Sequence, residues 1–350
     1  MEKEYRKNVS IIIPILNEIK HIEKCVDSVI SSTNGIEDME LILVDGGSND
    51  GTIDVLESLS RKYPFISILH NEKKMIGAGI NIGIENSTGK YIVRLDAHAI
   101  FPNGYIETLI ETLEKESPEI VNVGGALITL PSEDDIVAKS ISVVLSSRIG
   151  VGNSPFRVGS IDQPKFVSTV PFGCYRREIF DEIGVFNENV PRSEDLELSQ
   201  RIINAGKKIL MIPEVSSTYF SRGDFMSFFH QQFDNGRSVT KEHRGIVSFY
   251  KLRHLIPLFF CAYILSFSLL QTYFLFDFTY QINFIAAIPL ATYALMIMFS
   301  GFYYMLKESE PLYPILIPLS LLLLHVSYGI GSIYGLLQII FPTLPSKSVR

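Results

Sequence analysis

The chain has 350 residues, a formal net charge of −7 at pH 7 and 47% hydrophobic residues. This acidic balance gives no reason to expect a nucleic-acid partner, which proteins bind through clustered lysine and arginine. Cys25, Cys174 and Cys261 are far apart and form no CxxC pair, so we predict neither a disulfide framework nor a cysteine zinc site.

Roughly the first hundred residues alternate short apolar runs with amphipathic segments. We predict strands over Val9–Pro14, Glu40–Val44, Ile66–Leu69 and Tyr91–Leu95. The predicted helices between them cover Ile19–Ser32, Thr52–Lys62 and Gly77–Asn86. This alternation predicts an α/β domain with a parallel sheet.

Polar side chains follow three of these strands at their carboxyl ends. The clusters are Asn17-Glu18, Asp45 to Ser48, and Asp96-Ala97-His98. Ligands bind at this edge of α/β sheets, so we expect the three clusters to converge. A carboxylate and an imidazole two residues apart can hold one divalent cation, although a helix-capping Asp beside a solvated His gives the same pattern.

The pattern becomes less regular from Val121 to Pro191, where glycines interrupt short apolar stretches. We interpret this stretch as an elaboration on the acceptor side. A helix is predicted over Asp195–Ala205, ended by Gly206, and a strand over Lys208–Pro213.

Between Asp224 and Phe233, four phenylalanines share one helical face ahead of a basic flank. This pattern predicts an interfacial helix at a membrane surface, with a core-facing helix as the alternative. We therefore expect a cytosolic domain over 1–222, an interfacial amphipathic segment over 223–252 and a membrane region over 253–350.

Three runs in the last hundred residues lack Asp, Glu, Lys and Arg, namely Leu255–Phe276, Phe278–Leu306 and Pro311–Ser346. Each exceeds the roughly 20 residues that span a bilayer, so we predict transmembrane helices over 254–276, 282–306 and 318–341. Ser327, Gly331 and Gly335 share one face of the third helix, which favours close helix contact within the chain or with a second copy in a homo-oligomer.

The charges that flank these runs predict the orientation of the chain in the cytoplasmic membrane. The apolar run Val9–Leu16 is too short for a signal peptide, so we expect the N-terminal half to stay in the cytosol. Basic residues before the first run, Arg253 among them, support that orientation, whereas Lys347 and Arg350 oppose it.

Five motifs in chain order resemble those of family 2 glycosyltransferases. They are Ser10–Glu18, Val44–Thr52, Gly77–Asn81, Asp96–His98 and Ser193–Asp195. The Asp-Ala-His form, Arg253-His254-Leu255 and the three apolar runs further resemble succinoglycan-type membrane glucosyltransferases. The resemblance implies a GT-A (nucleotide-diphospho-sugar transferase) domain followed by a C-terminal α-helical transmembrane region. It also implies an inverting transfer of hexose from a nucleotide sugar, expected to be a UDP-hexose, to a lipid-linked saccharide.

The resemblance also assigns roles to individual residues on the donor side. Its nucleotide-sugar-binding positions are Pro14, Asn17, Glu18, Asp45, Ser48, Gly77, Asn81 and Asp96. The family residue that matches Asp45 contacts uracil, whereas an Asp in a glycine-rich loop can instead stabilise its own turn. Gly46 replaces a second acidic residue that members often carry, which leaves Asp45 alone in this turn.

Metal binding and base catalysis are implied for the next two motifs. Asp96 and His98 replace the family's Asp-x-Asp metal pair, so Mn²⁺ or Mg²⁺ is the expected cofactor, with the imidazole favouring Mn²⁺. Asp195 is expected to act as the general base, although an Asp at this position can also cap its helix.

Glu194, Gln232 and Arg237 are the expected acceptor-side residues. Gln231, Gln232 and Arg237 stand where processive relatives carry Gln-x-x-Arg-Trp, but the spacing differs and the chain has no Trp. Processive synthesis is therefore disfavoured. Arg237 is expected to bind a lipid diphosphate at the membrane surface, and a solvated residue before a span is the alternative.

Other function classes fit the sequence less well. No GxGxxG follows the first strand, which disfavours a dinucleotide oxidoreductase, and only His325 is ionisable within the apolar runs, which disfavours a transporter. The remaining alternatives are a polyprenyl-phosphate hexosyltransferase and a catalytically inactive, membrane-anchored glycan-binding relative.

Overall fold

The computed structural model describes residues 7–33, 38–158, 162–190, 192–242, 252–273 and 280–343. The first elements are β1 (Lys7–Ile15), α1 (Ile22–Ser32), β2 (Met39–Asp45), α2 (Thr52–Lys62), β3 (Ile66–His70), α3 (Ile76–Glu85), β4 (Gly89–Arg94), β5 (Ala99–Ile100), α4 (Tyr105–Lys115) and β6 (Ile120–Leu130). They are followed by α5 (Ile136–Leu145), α6 (Arg148–Val151), β7 (Lys165–Val167), β8 (Cys174–Arg176), α7 (Glu178–Ile183), α8 (Glu194–Asn204), β9 (Lys208–Phe220), α9 (Phe225–Glu242), α10 (Leu252–Tyr273), α11 (Tyr280–Glu308) and α12 (Tyr313–Ile340).

Four parallel strands in the order β3-β2-β1-β4 form one half of the sheet, as the sequence predicted. Beyond β4 the order continues β8-β6-β9-β5, and β8 runs antiparallel to both β4 and β6. The sheet is therefore mixed, and the parallel sheet predicted from the first hundred residues is one half of it. Strand β8 has only three residues, too few to show a strand period in the sequence.

Helices cover both faces of the parallel half because successive side chains of a strand point to opposite faces. Ile11 packs in an apolar cluster with residues of α1, α2 and α4, whereas Ile12 packs with residues of α3 and α8. Because β1, β2 and β4 run parallel, their carboxyl ends lie at one edge of the sheet, where such folds bind ligands.

The prediction of an irregular stretch from Val121 is wrong at its beginning, where the 11-residue strand β6 lies. Its glycines mark a close approach of two backbones. A Cβ atom on Gly125 would lie 2.3 Å from the carbonyl oxygen of Val215 in β9. Glycine thus allows tight packing here, although it reads as a chain interruption in the sequence.

The chain divides into two compact units. The sheet unit contains residues up to 128 and residues 155–220, and the helical unit contains residues 129–154 and residues from 221 onward. The sequence assigned 129–154 to the first domain, but α5 from this stretch packs in the helical unit. Ile141 and Val144 of α5 join Ile317 and Leu321 of α12 in one buried cluster. Because those partners lie far along the chain, local periodicity could not reveal the pairing.

Within the described residues, two helical segments are long and apolar enough to cross a membrane by length and composition. They cover Ile285–Glu308 and Tyr313–Ile340. Helix α10 forms where a further span was predicted, but its apolar part, Arg253–Leu269, is shorter. Pro314 lies in the first turn of α12 and Pro318 lies inside the helix, so α12 begins ahead of the predicted residue 318.

Helix α9 packs closely against α12 through the small residues that the sequence singled out. A Cβ atom on Gly331 would lie 2.0 Å from the carbonyl oxygen of Phe233, and one on Gly335 would lie 2.6 Å from that of Arg237. Ser327 on the same face is buried. These residues therefore serve contact within the chain, and α9 follows the core-facing alternative.

Candidate active site

Hydrogen bonds join the loops that follow β1 and β2. Asn17 adopts a left-handed backbone conformation (φ 57°), which Asn tolerates better than most residues. Its N–H donates to Ser48 Oγ (2.8 Å), and its Oδ1 accepts from the N–H of Asn49 (2.9 Å). The N–H of Glu18 donates to Thr52 Oγ1 (2.9 Å). The two polar clusters therefore form one connected surface, as predicted from the sheet topology.

Asp45 is buried at the end of β2, where it stabilises its own turn. Its carboxylate accepts hydrogen bonds from the N–H of Gly47 (2.8 Å), the N–H of Ser48 (3.1 Å) and the hydroxyl of Ser48 (2.6 Å). This is the turn role that the sequence left open. A nucleotide contact by Asp45 stays a prediction.

Arg94 is a buried cation that the sequence analysis missed. Its Nη2 atom lies 2.9 Å from Asp96 Oδ1 and 3.0 Å from Glu194 Oε1. Glu194 is only 3% exposed and is an ion-pair partner of Arg94, and its predicted acceptor-side role stays a prediction. Burial raises the pKa of Glu194 to about 7, although Arg94 lowers it. A single arginine in an otherwise apolar strand was the signal that could have revealed this cation.

Asp195 lies in the first turn of α8, directly after Glu194. Ser193 occupies the N-cap position in a left-handed conformation (φ 64°) and makes no side-chain cap hydrogen bond. Asp195 is the second residue of the helix, so it is not at the cap position. Burial raises the pKa of Asp195 despite the opposing charge of Arg94. A carboxylate with a raised pKa is a stronger base, which suits proton abstraction.

His98 is oriented by a carboxylate and an aromatic ring. Its Nδ1 atom lies 2.9 Å from Glu18 Oε1, and its ring packs edge-on against Tyr219 at 5.7 Å between centroids. A carboxylate on one ring nitrogen is also how proteins orient metal-binding histidines. Among the described residues, no group of three or more His, Cys, Asp or Glu side chains could hold a metal ion. Asp96 and His98 would thus need oxygen ligands from a bound molecule.

Arg157 is a second candidate that the sequence analysis missed. Its guanidinium lies over the ring of Tyr219, 5.3 Å from the centroid, and near the ring of Phe156 at 5.7 Å. Burial lowers the pKa of Arg157, while Tyr219 and Asp195 act to raise it. The site therefore has a cation near the candidate base. No pattern distinguished Arg157 from other arginines in a stretch that looked irregular.

Gly77 and Asn81 of α3 hold the segment ahead of α8. The Asn81 side chain donates to Phe186 O (2.8 Å) and Glu188 Oε1 (3.1 Å) and accepts from the N–H of Phe186 (2.9 Å). A Cβ atom on Gly77 would lie 3.3 Å from the carbonyl oxygen of Asn187. Asn81 thus fixes the segment at Phe186 and Glu188, and the nucleotide-sugar role predicted for Gly77 and Asn81 stays a prediction.

Pro14 pairs with Val44 near the end of β1. The pairing of β1 with β4 ends at Ile12, two residues before Pro14. Proline has no N–H to donate, which fits a position at the end of that ladder.

The two other predicted acceptor-side residues belong to the helical unit. Gln232 and Arg237 of α9 are 6% and 5% exposed, and Arg237 Nη2 lies 3.5 Å from Asp234 Oδ1. The packing of α9 against α12 buries both residues, and their acceptor-side role stays a prediction.

A mixed sheet with four leading parallel strands and carboxylates at their carboxyl edge is typical of GT-A glycosyltransferases. The family model described as glycosyl transferase family 2 matches residues 10–184, which is half of the chain. The chain therefore belongs to glycosyl transferase family 2, as its motifs predicted. It is a glycosyltransferase with a GT-A-like fold.

Two curated relatives are similar over nearly their full length. The dolichyl N-acetyl-alpha-D-glucosaminyl phosphate 3-beta-D-2,3-diacetamido-2,3-dideoxy-beta-D-glucuronosyltransferase of Methanococcus voltae is 27% identical over 94% of this chain and 97% of its own. The succinoglycan biosynthesis protein ExoA of Rhizobium meliloti is 27% identical over 92% of each chain.

A solved structure with the same fold is the mannosyltransferase PcManGT from Pyrobaculum calidifontis, in complex with GDP-Man and Mn²⁺. Its TM-score is 0.62 at 16% identity, over 96% of this chain and 91% of that chain. The likeness confirms the GT-A-like fold predicted from the motifs.

Proposed function

We propose that the protein is an inverting, metal-dependent glycosyltransferase that moves a hexose from a nucleotide diphosphate sugar to a lipid-linked saccharide. The observation that carries this proposal is Arg94, which joins Asp96 to Glu194 and so holds the donor-side carboxylate beside Asp195. The name of the Methanococcus voltae relative, which includes a lipid-linked sugar phosphate, supports the acceptor class.

The chemistry of Asp96 and His98 fits a divalent cation. A carboxylate oxygen and an imidazole nitrogen are suitable ligands for Mn²⁺, and Glu18 on Nδ1 makes Nε2 the nitrogen through which His98 would bind. Such a cation would neutralise the donor's diphosphate as it departs.

The chain's own residues supply the remaining steps. Asp195 takes the proton of the acceptor hydroxyl as its oxygen forms a bond to the anomeric carbon. The bond from that carbon to the diphosphate oxygen breaks, and its electron pair leaves with the nucleotide. A single displacement of this kind inverts the anomeric configuration. Arg157 adds positive charge near the reacting groups, which favours the anionic leaving group.

We also propose that the sheet unit works at the cytosolic face of the cytoplasmic membrane and that the helical unit anchors the chain there. Two helices of sufficient length and apolarity support this placement. The basic residues before α10 support the orientation.

The purified full-length protein tests this function directly. We expect it to release nucleoside diphosphate from one of UDP-glucose, UDP-N-acetylglucosamine and GDP-mannose when Mn²⁺ and a lipid-linked saccharide extract are present. Mass spectrometry should show the acceptor extended by one sugar. Transfer to polyprenyl monophosphate alone would instead identify a polyprenyl-phosphate hexosyltransferase, and no release from any donor would indicate an inactive glycan-binding relative.

Substitutions of His98 test whether this residue is a ligand of the metal ion. We expect His98→Asp to retain activity and to shift the preference from Mn²⁺ towards Mg²⁺, because a carboxylate is the harder ligand. The measurement is the rate of nucleotide release against the concentration of each cation. His70→Asp, which changes a histidine at the end of β3, is the matched control. Unaltered metal dependence in His98→Ala would exclude His98 as a ligand.

A further inference from the structure

Three side chains of the helical unit form a polar group at the beginning of α10. Arg253 and His254 lie in the first turn of α10, and Tyr328 lies midway along α12. The Arg253 Nε–H donates to His254 Nε2 (3.2 Å), and His254 Nδ1 lies 2.9 Å from the Tyr328 hydroxyl oxygen. The function proposed above uses none of the three.

These hydrogen bonds determine which atoms carry protons. Since His254 Nε2 accepts from Arg253, the neutral ring of His254 carries its proton on Nδ1. That N–H donates to the Tyr328 oxygen, so the Tyr328 hydroxyl keeps its own proton as a donor. The group therefore presents donors, as an anion-binding site requires.

The Arg253 guanidinium has more N–H donors than it has acceptors among the residues that the structure describes. One of its five N–H groups bonds to His254 and a second, on Nη1, bonds to the carbonyl oxygen of Asn153 (3.2 Å). Among the residues that the structure describes, none forms an ion pair with Arg253. The planar fork of Nη1 and Nη2 has the geometry that binds phosphate through two parallel hydrogen bonds.

The surrounding backbone holds Arg253 in place. Gly152 adopts a conformation with φ +60°, and a Cβ atom there would lie 3.1 Å from Arg253 Cβ. His325 of α12 holds the same loop, because its Nε2 atom lies 3.1 Å from the carbonyl oxygen of Ile149 and its Nδ1 atom lies 3.0 Å from the hydroxyl of Tyr293. The cation is thus pre-organised, which limits the entropy lost on binding.

The next turns of α10 are apolar and exposed. Ile256 follows Arg253 by three residues, so it lies near the same face of the helix, and it is 54% exposed. Phe259, in the turn after it, is 64% exposed. A cationic fork next to exposed apolar side chains matches a ligand that combines a phosphate with a hydrocarbon chain.

We propose that Arg253 and Tyr328, both positioned by His254, bind the phosphate group of an isoprenoid lipid, the carrier of the saccharide acceptor. This inference rests on the proposed function and deepens it by naming the acceptor's anchoring site. It replaces the role predicted for Arg237, whose guanidinium is buried beside Asp234. The same phosphate chemistry occurs in glycerophospholipid headgroups, so the test must separate the two sources.

Binding of polyprenyl monophosphate to the full-length protein in detergent tests the site. We expect Arg253→Gln to weaken binding by about 10- to 100-fold, because a charge-assisted bidentate contact is lost. Arg253→Lys should lose less, since it keeps the charge without the fork. Tyr328→Phe should weaken binding by a few fold. Lys307→Gln, which removes an exposed cation at the end of α11, is the matched control and should bind as the parent protein does.

Two further measurements make the result decisive. Phosphatidylglycerol in the same detergent should compete weakly with polyprenyl monophosphate, and equal competition would overturn the proposal in favour of a general anionic surface. Unchanged affinity in both Arg253 variants would also overturn it. Slow hydrolysis of the nucleotide sugar without acceptor should persist in Arg253→Gln. Its absence from the parent protein would instead count against the proposed function.

Discussion

Replacing Asp195 by Asn should lower the rate of sugar transfer by about 10²- to 10⁴-fold, because the amide cannot take the proton of the acceptor hydroxyl. Binding of the nucleotide should be nearly unchanged. The measurements are kcat from nucleotide release at saturating acceptor and the affinity for nucleoside diphosphate in the presence of Mn²⁺. Because burial raises the pKa of Asp195, kcat/KM of the parent protein should fall on the acid side at a pH above the ordinary value of 3.8.

Glu197→Gln is the matched control for this experiment. Glu197 also lies in the first turn of α8, but its carboxylate is bound to Arg201 at 2.8 Å. Both substitutions remove one negative charge from the same helix N-terminus, so they share any effect on the helix dipole. Transfer within about twofold of the parent rate is expected for Glu197→Gln. Near-normal turnover in Asp195→Asn would remove Asp195 as the base.

Replacing Arg94 by Met should destabilise the folded protein by about 3–5 kcal/mol, because it leaves the buried Glu194 and the neighbouring Asp96 without their shared counter-ion. For a unit of this size the midpoint of thermal unfolding should fall by roughly 10 °C. Differential scanning fluorimetry of the full chain in detergent measures the shift. Arg61→Met, which breaks an exposed pair with Glu57, should change the midpoint little.

The pH dependence of the stability and the substitution Glu194→Gln test whether the loss of its counter-ion by Glu194 causes the destabilisation. The pKa of Glu194 is about 7 in the folded chain and ordinarily 4.5, so the folded state keeps a proton that the unfolded state has released. The stability from that proton is lost as the pH rises through 7. The loss caused by Arg94→Met should therefore grow with pH, and Glu194→Gln in the same chain should recover part of it. An equal loss with and without Glu194→Gln would contradict this account.

The sequence predicted the parallel half of the sheet because each of its strands is an apolar run between amphipathic helices. The polar residues after β1 and β2, Asn17 and Ser48 among them, lie together because parallel strands end at one edge. Strand β6 was missed because Gly125, which allows contact with β9, reads as a chain breaker.

Burial distinguishes surroundings that the sequence did not indicate. Glu194 and Arg237 were predicted as acceptor-side residues from their motif positions, and each is a buried ion-pair partner inside its unit. Arg94 and Arg157 were missed because the sequence does not indicate whether an arginine is exposed to solvent or buried in contact with carboxylates. Glu194 lies a hundred positions from Arg94, and Tyr219 lies about sixty positions from Arg157.

By itself, the sequence determined the family, the four parallel strands, the edge at which the site lies and the apolar character of the last hundred residues. These features depend on local periodicity and on motif order, and both can be determined from the sequence without the fold. Only the tertiary structure decided which carboxylates are buried and which cation forms ion pairs with them, and it supports the proposal that Arg253 binds a phosphate. Those properties arise from contacts between residues that are far apart in the sequence. Burial at such contacts shifts pKa values, so side chains of the same type differ in charge and role.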